Sequence, residues 1–167
     1  SLIVSGGHTM LVDVKAHCQY QLIGRTIDDA GGEAFDKVGR MLKLPYPGGP
    51  EIEKHAREGN PKSFIFPRAH LKDATFDFSF SGLKTAVLDQ LQKLDDPQAH
   101  LADLCASFQD AVIDALVKKT IKAARQTDHT LIAISGGVAC NRTLQEALTL
   151  AAQNAGMKVQ PTPPALT

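Results

Sequence analysis

The apolar positions of this chain change period along its length. Leu2 to Ser5, Met10 to Val14 and Tyr20 to Ile23 are short β-prone runs, and the Gly6-Gly7 pair between the first two reads as a hairpin turn, which predicts an antiparallel meander. From Glu33 to Leu44 the period lengthens. Ala34, Phe35, Val38, Met41 and Leu42 fall on one helical face, preceded by Asp28 and Asp29 and halted before Pro45-Tyr46-Pro47-Gly48-Gly49-Pro50.

Residues 50 to 97 mix a short helical candidate, Glu51 to Arg57, with Phe76-Asp77-Phe78-Ser79-Phe80-Ser81-Gly82, whose alternating aromatics predict a half-buried strand. This stretch is expected to be an insertion with its own small core. Leu101, Leu104, Cys105, Phe108, Val112, Ala115 and Leu116 then mark a long amphipathic helix reaching about Arg125. Leu131 to Ile134 is a continuous apolar strand expected to be buried on both faces. Ser135-Gly136-Gly137, a helix from about Asn141 to Gln153 ended by Gly156, and a strand from Met157 to Gln160 complete the order. A meander followed by helices and two further strands is an α/β layout on one mixed sheet, and 167 residues suit one domain.

Composition narrows the function classes. Lys plus Arg and Asp plus Glu are both 18, so this segment supplies no broad electrostatic grip on nucleic acid and any RNA contact must be local. Lys62, Arg68, Lys72 and Lys84 are the candidates for such a contact. Cys18, Cys105 and Cys140 are widely spaced with no CxxC, which argues against a disulfide framework or a cysteine-rich zinc site and for a reducing cytoplasm. No run of 18 apolar residues and no signal-peptide pattern exists, so no membrane partner is expected. The chain opens directly on a strand, so its N-terminus is expected to be a cut edge.

Ser-Gly-Gly recurs at the end of two strands, at residues 5 to 7 and 135 to 137. Glycine permits the close approach that lets successive N–H groups converge on an anion, and a following helix N-terminus adds partial positive charge. The ordinary reading of Gly6-Gly7 is a tight turn and that of Gly136-Gly137 close strand-to-helix packing, and no GK[ST] follows either loop, which disfavours a P-loop kinase. Asn141 suits a helix N-cap or a hydrogen bond to a ligand sugar. Asp36, beside Lys37 on its helix, suits an exposed ion pair, a solvated carboxylate or a contact to ribose hydroxyls. Ser5 and His8 are weak catalytic candidates, because neither a third group nor a GxSxG elbow accompanies them. The six histidines show no HxxxH or HExxH spacing, so no metal site is expected within this chain.

Five blocks taken in order, Ile3 to Thr9, Asp28 to Lys37, Tyr46 to Pro50, Phe78 to Thr85 and Ser135 to Asn141, resemble the TsaD/Gcp family, and they span nearly the whole chain. The resemblance implies a two-lobed actin-like ATPase and sugar-kinase architecture, with this chain as one C-terminal-type, RNase H-like α/β lobe. It implies transfer of a threonylcarbamoyl group from threonylcarbamoyl-AMP to N6 of the adenosine next to the anticodon in tRNAs reading ANN codons, with TsaB-like and TsaE-like partners. Carried over by residue, Ile3, Val4, Ser5, Gly6 and Gly7 would meet the phosphate and carbamoyl region, with backbone amides stabilising charge on the acyl oxygen. Asp36, Gly49 and, less strongly, Glu53 would meet the ribose, and Gly136, Gly137 and Asn141 the adenosine side, with ATP or ADP as an alternative ligand. The resemblance also implies one iron or zinc ion held by an HxxxH pair and an Asp outside this chain, so the isolated lobe is expected to be inactive. A sugar-kinase or actin-like ATPase lobe and a noncatalytic TsaB-like paralogue are the alternatives.

Overall fold

A computed structural model describes residues 1–68 and 75–162. The strands are β1 (Leu2–Val4), β2 (Thr9–Ala16), β3 (Gln19–Arg25), β4 (Leu131–Ser135) and β5 (Lys158–Pro161), in sheet order β3-β2-β1-β4-β5. The meander β1-β2-β3 is antiparallel, and β4 joins β1 in parallel with Leu2 opposite Ile134 and Ile3 opposite Ser135. β5 extends the parallel half with Ile132 opposite Val159. The helices are α1 (Gly31–Met41), α2 (Gly48–Ala56), α3 (Ser81–Leu91), α4 (Leu101–Gln126) and α5 (Arg142–Asn154).

The period-2 pattern decides which face of the sheet is covered. Leu2, Val4, Leu11, Ile132 and Ile134 are at most 2% exposed and pack under the helices. On the other face Ile3, Met10, Val12 and Ala133 are half-buried, and Val14 and Leu131 are exposed. The expectation that β4 is buried on both faces is therefore not met. The described helices pack on one another on a single side, so only alternate residues of β4 gain cover.

α4 is the longest element, about 39 Å at 1.5 Å per residue. It lies across α2, α3 and α5 and carries Leu104, Phe108, Val112 and Leu116 into the core, where Phe108 meets Phe35 of α1 edge to face at 5.3 Å. Among the described residues, those from 50 to 97 have no core of their own. Ile52, Phe66, Phe78, Phe80, Leu83 and Val87 belong to the same cluster as the sheet.

Burial alternates from Asp77 to Phe80, with Phe78 and Phe80 buried and Phe76 only half-buried, but the segment forms a single bridge, Phe78 with Thr26, in place of a strand. Gly24 lets the chain come this close, since a Cβ there would stand 2.4 Å from the Phe76 carbonyl oxygen. Pairing then stops because Asp28 captures the next donors. Its carboxylate accepts from the N–H groups of Phe80 (2.8 Å) and Ser81 (3.3 Å) and from the hydroxyls of Ser79 and Ser81. Asp28 thus serves α3 as an N-cap supplied from a distant loop. Burial pushes Asp28 up, but these hydrogen bonds outweigh it and hold its carboxyl below the usual carboxylate range.

Candidate functional site

Three helix beginnings converge where β1 and β4 end. Thr9 Oγ1 accepts from the Gly31 N–H at 2.8 Å and the Ser5 carbonyl from the Gly32 N–H at 3.1 Å, which seats the first turn of α1 against the Ser5–Gly6 loop. A Cβ on Gly32 would stand 2.6 Å from the Ser5 carbonyl oxygen, so only glycine permits the contact. α2 crosses α1 backbone to backbone through Gly39 and Gly48, and that approach lets Asp36 Oδ1 accept from the Gly48 N–H at 2.8 Å. Glu53 of α2 reaches the start of α5, where its Oε1 accepts from the Arg142 N–H at 2.9 Å and lies favourably at the positive end of that helix.

These contacts enclose a cleft of about 520 Å³ lined by Gly6, Gly32, Phe35, Asp36, Tyr46, Pro47, Gly49, Pro50, Glu53, Gly137, Val138, Cys140 and Asn141. Asp36 and Glu53 each spend one carboxylate oxygen on a backbone N–H and keep a second oxygen with no hydrogen-bond partner among the described residues. Gly6 and Gly137 meet nothing within 4 Å of where a Cβ would stand, so the chain's own packing does not require glycine at either position. Gly136, beside them, is the opposite case: φ is +99° and a Cβ would stand 2.2 Å from the Val4 carbonyl oxygen.

Gly6, Asp36, Gly49, Glu53, Gly137 and Asn141 of the expected set are thus brought to one cleft. Gly136 lies behind the loop against β1, Val4 is fully buried in the core, and Ile3, Ser5, Gly7 and His8 lie outside the lining. Ser5 Oγ is the acceptor for the N–H groups of Gly7 (3.3 Å) and His8 (3.1 Å) and so closes its own turn. Asn141 is the N-cap of α5: its Oδ1 accepts from the Leu144 N–H at 2.9 Å. A four-residue 3₁₀ turn, Gly137–Cys140, separates it from the Ser-Gly-Gly loop, so α5 does not follow that loop directly.

Phe35, Tyr46, Val138 and Cys140 also line the cleft, and sequence reasoning did not select them. Phe35 alone carried a signal, and that signal read as core. Arg68 is paired with Asp110 at 2.6 Å and Lys84 with Asp29 at 3.4 Å, which ties both of these RNA-contact candidates to carboxylates of the chain. Lys62 is exposed, and Lys72 lies outside the described residues. Among the described residues no group of three His, Cys, Asp or Glu comes together to hold a metal ion, and no helix is long and apolar enough to cross a membrane.

The sequence profile of the family described as "TsaD: tRNA N6-adenosine threonylcarbamoyltransferase" matches residues 1–167. A protein of Desulfitobacterium hafniense named tRNA N6-adenosine threonylcarbamoyltransferase is 49% identical over 99% of this chain and 49% of its own length. One of the same name from Moorella thermoacetica is 52% identical over 95% of this chain and 47% of its own length. The chain therefore spans about half the length of the relatives it matches. Among solved structures, T. kodakarensis HypF superposes with a TM-score of 0.62 at 17% identity, covering 87% of this chain and 18% of that protein. Full-length HypF in the phosphate- and nucleotide-bound form gives 0.60 at 17% identity over 80% of this chain and 21% of that protein. This likeness carries the fold alone: an α/β lobe built on a five-stranded mixed sheet with flanking helices, the layout expected from the residue pattern.

Proposed function

This chain belongs to the TsaD family, and from that premise we propose that the protein containing it transfers a threonylcarbamoyl group from threonylcarbamoyl-AMP to N6 of the adenosine next to the anticodon in tRNAs reading ANN codons. The lobe described here supplies one wall of the site for the adenylate. The observation that carries this reading is the chemistry of the cleft: two glycines open to it at Gly6 and Gly137, beside two carboxylates that each keep one oxygen unspent.

The division of labour follows from those groups. The free oxygens of Asp36 and Glu53 accept hydrogen bonds from the ribose hydroxyls, whose donors need acceptors in a partly dry site. The open backbone at Gly6 and Gly137, with the first turns of α1 and α2 behind it, admits the phosphate and the acyl oxygen close to N–H donors. Asn141 faces the adenosine side. The exocyclic amine of the tRNA base attacks the carbamoyl carbon, the bond from that carbon to the phosphate oxygen breaks, AMP leaves, and the nitrogen gives up one proton to solvent. In this reading transfer runs directly to the base without an acyl-serine intermediate, which is supported by Ser5 Oγ closing its own turn as the acceptor for the N–H groups of Gly7 and His8. A nucleotide in this cleft is supported further by the HypF structure of the same fold, solved in a phosphate- and nucleotide-bound form.

The iron or zinc ion that the family resemblance implies has no ligand set among the described residues, and no step is assigned to it. The proposed partners are tRNA and the TsaB-like and TsaE-like proteins, in the cytoplasm. The test supplies the full-length protein and its partner proteins with threonylcarbamoyl-AMP and unmodified tRNA, then quantifies the modified nucleoside by mass spectrometry. Modified adenosine from wild type and a tenfold or greater loss in Asp36→Ala support the reading; an inert wild type, or an undiminished Asp36→Ala, overturns it.

A further inference from the structure

Gln109 lies in the N-terminal half of α4, 5% exposed, and reaches the cleft only through another residue. Its Oε1 accepts from Asn141 Nδ2 at 2.8 Å, and its Nε2 donates to Thr143 Oγ1 at 3.3 Å. The direction of every amide in this chain of contacts is dictated by one backbone donor. The Leu144 N–H requires the Asn141 oxygen at its position, 2.9 Å away, so the Asn141 nitrogen must face Gln109. Gln109 must then turn its oxygen toward Asn141 and its nitrogen toward the Thr143 hydroxyl, which is able to accept. The Asn141 amide, 8% exposed, is left with one N–H that meets no acceptor among the described residues, and Asn141 lines the cleft.

We propose that Gln109 is a positioning residue that locks the Asn141 amide in the orientation presenting an N–H donor to the cleft, so that the nucleotide atom recognised there is a hydrogen-bond acceptor. This deepens the nucleotide reading above and rests on it. Without Gln109 the buried Asn141 nitrogen has no acceptor behind it, and the cap bond to Leu144 alone leaves the side chain free to tilt about its own χ angles. A buried donor left unpaired is more costly than one replaced in kind, so the effect depends on the chemistry at position 109 more than on its volume.

The test measures ADP affinity by calorimetry and unfolding by urea in the full-length protein, for wild type, Gln109→Met, Gln109→Glu and Asn141→Asp. Gln109→Met matches the length of the side chain and removes the acceptor, so the Kd for ADP rises about tenfold, the worth of one hydrogen bond. Gln109→Glu keeps an oxygen toward Asn141 and lets the Thr143 hydroxyl turn to donate, so binding returns to within about threefold of wild type although the buried charge lowers stability. Gln109→Glu thereby recovers binding without recovering wild-type stability, a split that a merely structural role does not produce. Asn141→Asp still accepts from Leu144 and has lost the donor, so ADP binding falls about tenfold or more with the cap intact. ADP affinity that tracks urea stability across the Gln109 variants, or an undiminished Asn141→Asp, overturns the proposal alone. A wild-type protein that takes up no ADP overturns it together with the nucleotide reading.

Discussion

Gly136 and Gly137 are neighbours with opposite reasons for being glycine, and substituting each by alanine separates fold from site. Gly136 has φ +99° and ψ 164°, a region that is essentially glycine-only and costs another residue about 1–3 kcal/mol. The added Cβ would also stand 2.2 Å from the Val4 carbonyl oxygen, a backbone atom of the central strand that cannot rotate away. Relief requires the loop to move off β1 and pulls on the Ile3–Ser135 pairing, for a total of about 3 kcal/mol. At Gly137 a Cβ meets nothing within 4 Å and no positive φ is involved, so Gly137→Ala is expected within about 0.5 kcal/mol of wild type. Hydrogen exchange of the β1 and β4 amides in the full-length protein reads the difference locally. For amides that exchange through opening of this sheet, 3 kcal/mol corresponds to exchange faster by roughly two orders of magnitude in Gly136→Ala and near-unchanged protection in Gly137→Ala. ADP titration then gives the converse for Gly137→Ala, an intact fold with binding weakened about tenfold or more by a methyl group in the cleft. Equal loss of protection in the two variants, or undiminished ADP binding by Gly137→Ala, would refute the argument that packing demands the first glycine and a ligand the second.

Three further outcomes follow from other parts of the molecule. Asp28→Asn removes a charged acceptor from the start of α3 and is expected to cost about 1 kcal/mol near neutral pH, after discounting for solvent screening. Because the folded-state pKa of Asp28 is lowered, its contribution is present above the unfolded value of about 3.9 and is lost as pH falls through the folded value. The gap in urea stability between wild type and Asp28→Asn should therefore begin to close only as pH falls below about 4 and shrink further at lower pH, and a gap that widens on acidification would count against the tether. Maleimide at pH 8 should modify exposed Cys18 and Cys140 and spare Cys105, whose thiol is pushed up to about 12 by burial; ADP should slow labelling at Cys140, which lines the cleft, and leave Cys18 unaffected, as peptide mass mapping would record. Asp36→Asn retains an oxygen for the Gly48 N–H, so unfolding should shift by less than about 1 kcal/mol while the Kd for ADP rises several-fold; equal losses of stability and binding would reduce Asp36 to a structural contact.

The local code of this chain was sufficient for most of its elements. The period-2 runs of β1, β2 and β3, the one-sided face of α1, the 26-residue α4 and the Asn141 cap of α5 all lie close to where residue pattern places them. Such signals are legible because they depend on neighbours within one turn or one strand. The segment from Phe76 to Gly82 was misread because its alternation is genuine while its partner is not a strand: Asp28, about fifty residues away, takes the donors that a strand would have used. α3 went unseen for the same reason, since its cap comes from another part of the chain.

The site divides along the same line. Diglycine loops, Asp36 and Asn141 were visible as residue types suited to a phosphate, a ribose and a cap, yet each also had an ordinary structural role. Only tertiary structure decided that Gly6, Gly49 and Gly137 face one cleft while Gly136 faces β1, and that α1 supplies the helix beginning behind the first loop. It also decided that Gln109, by pattern a polar position on a long helix, stands behind Asn141. Sequence periodicity records which side of an element is apolar, because burial is averaged over many neighbours. It carries no record of which polar atoms meet across long separations, because each such meeting depends on a single distance set by how the helices cross.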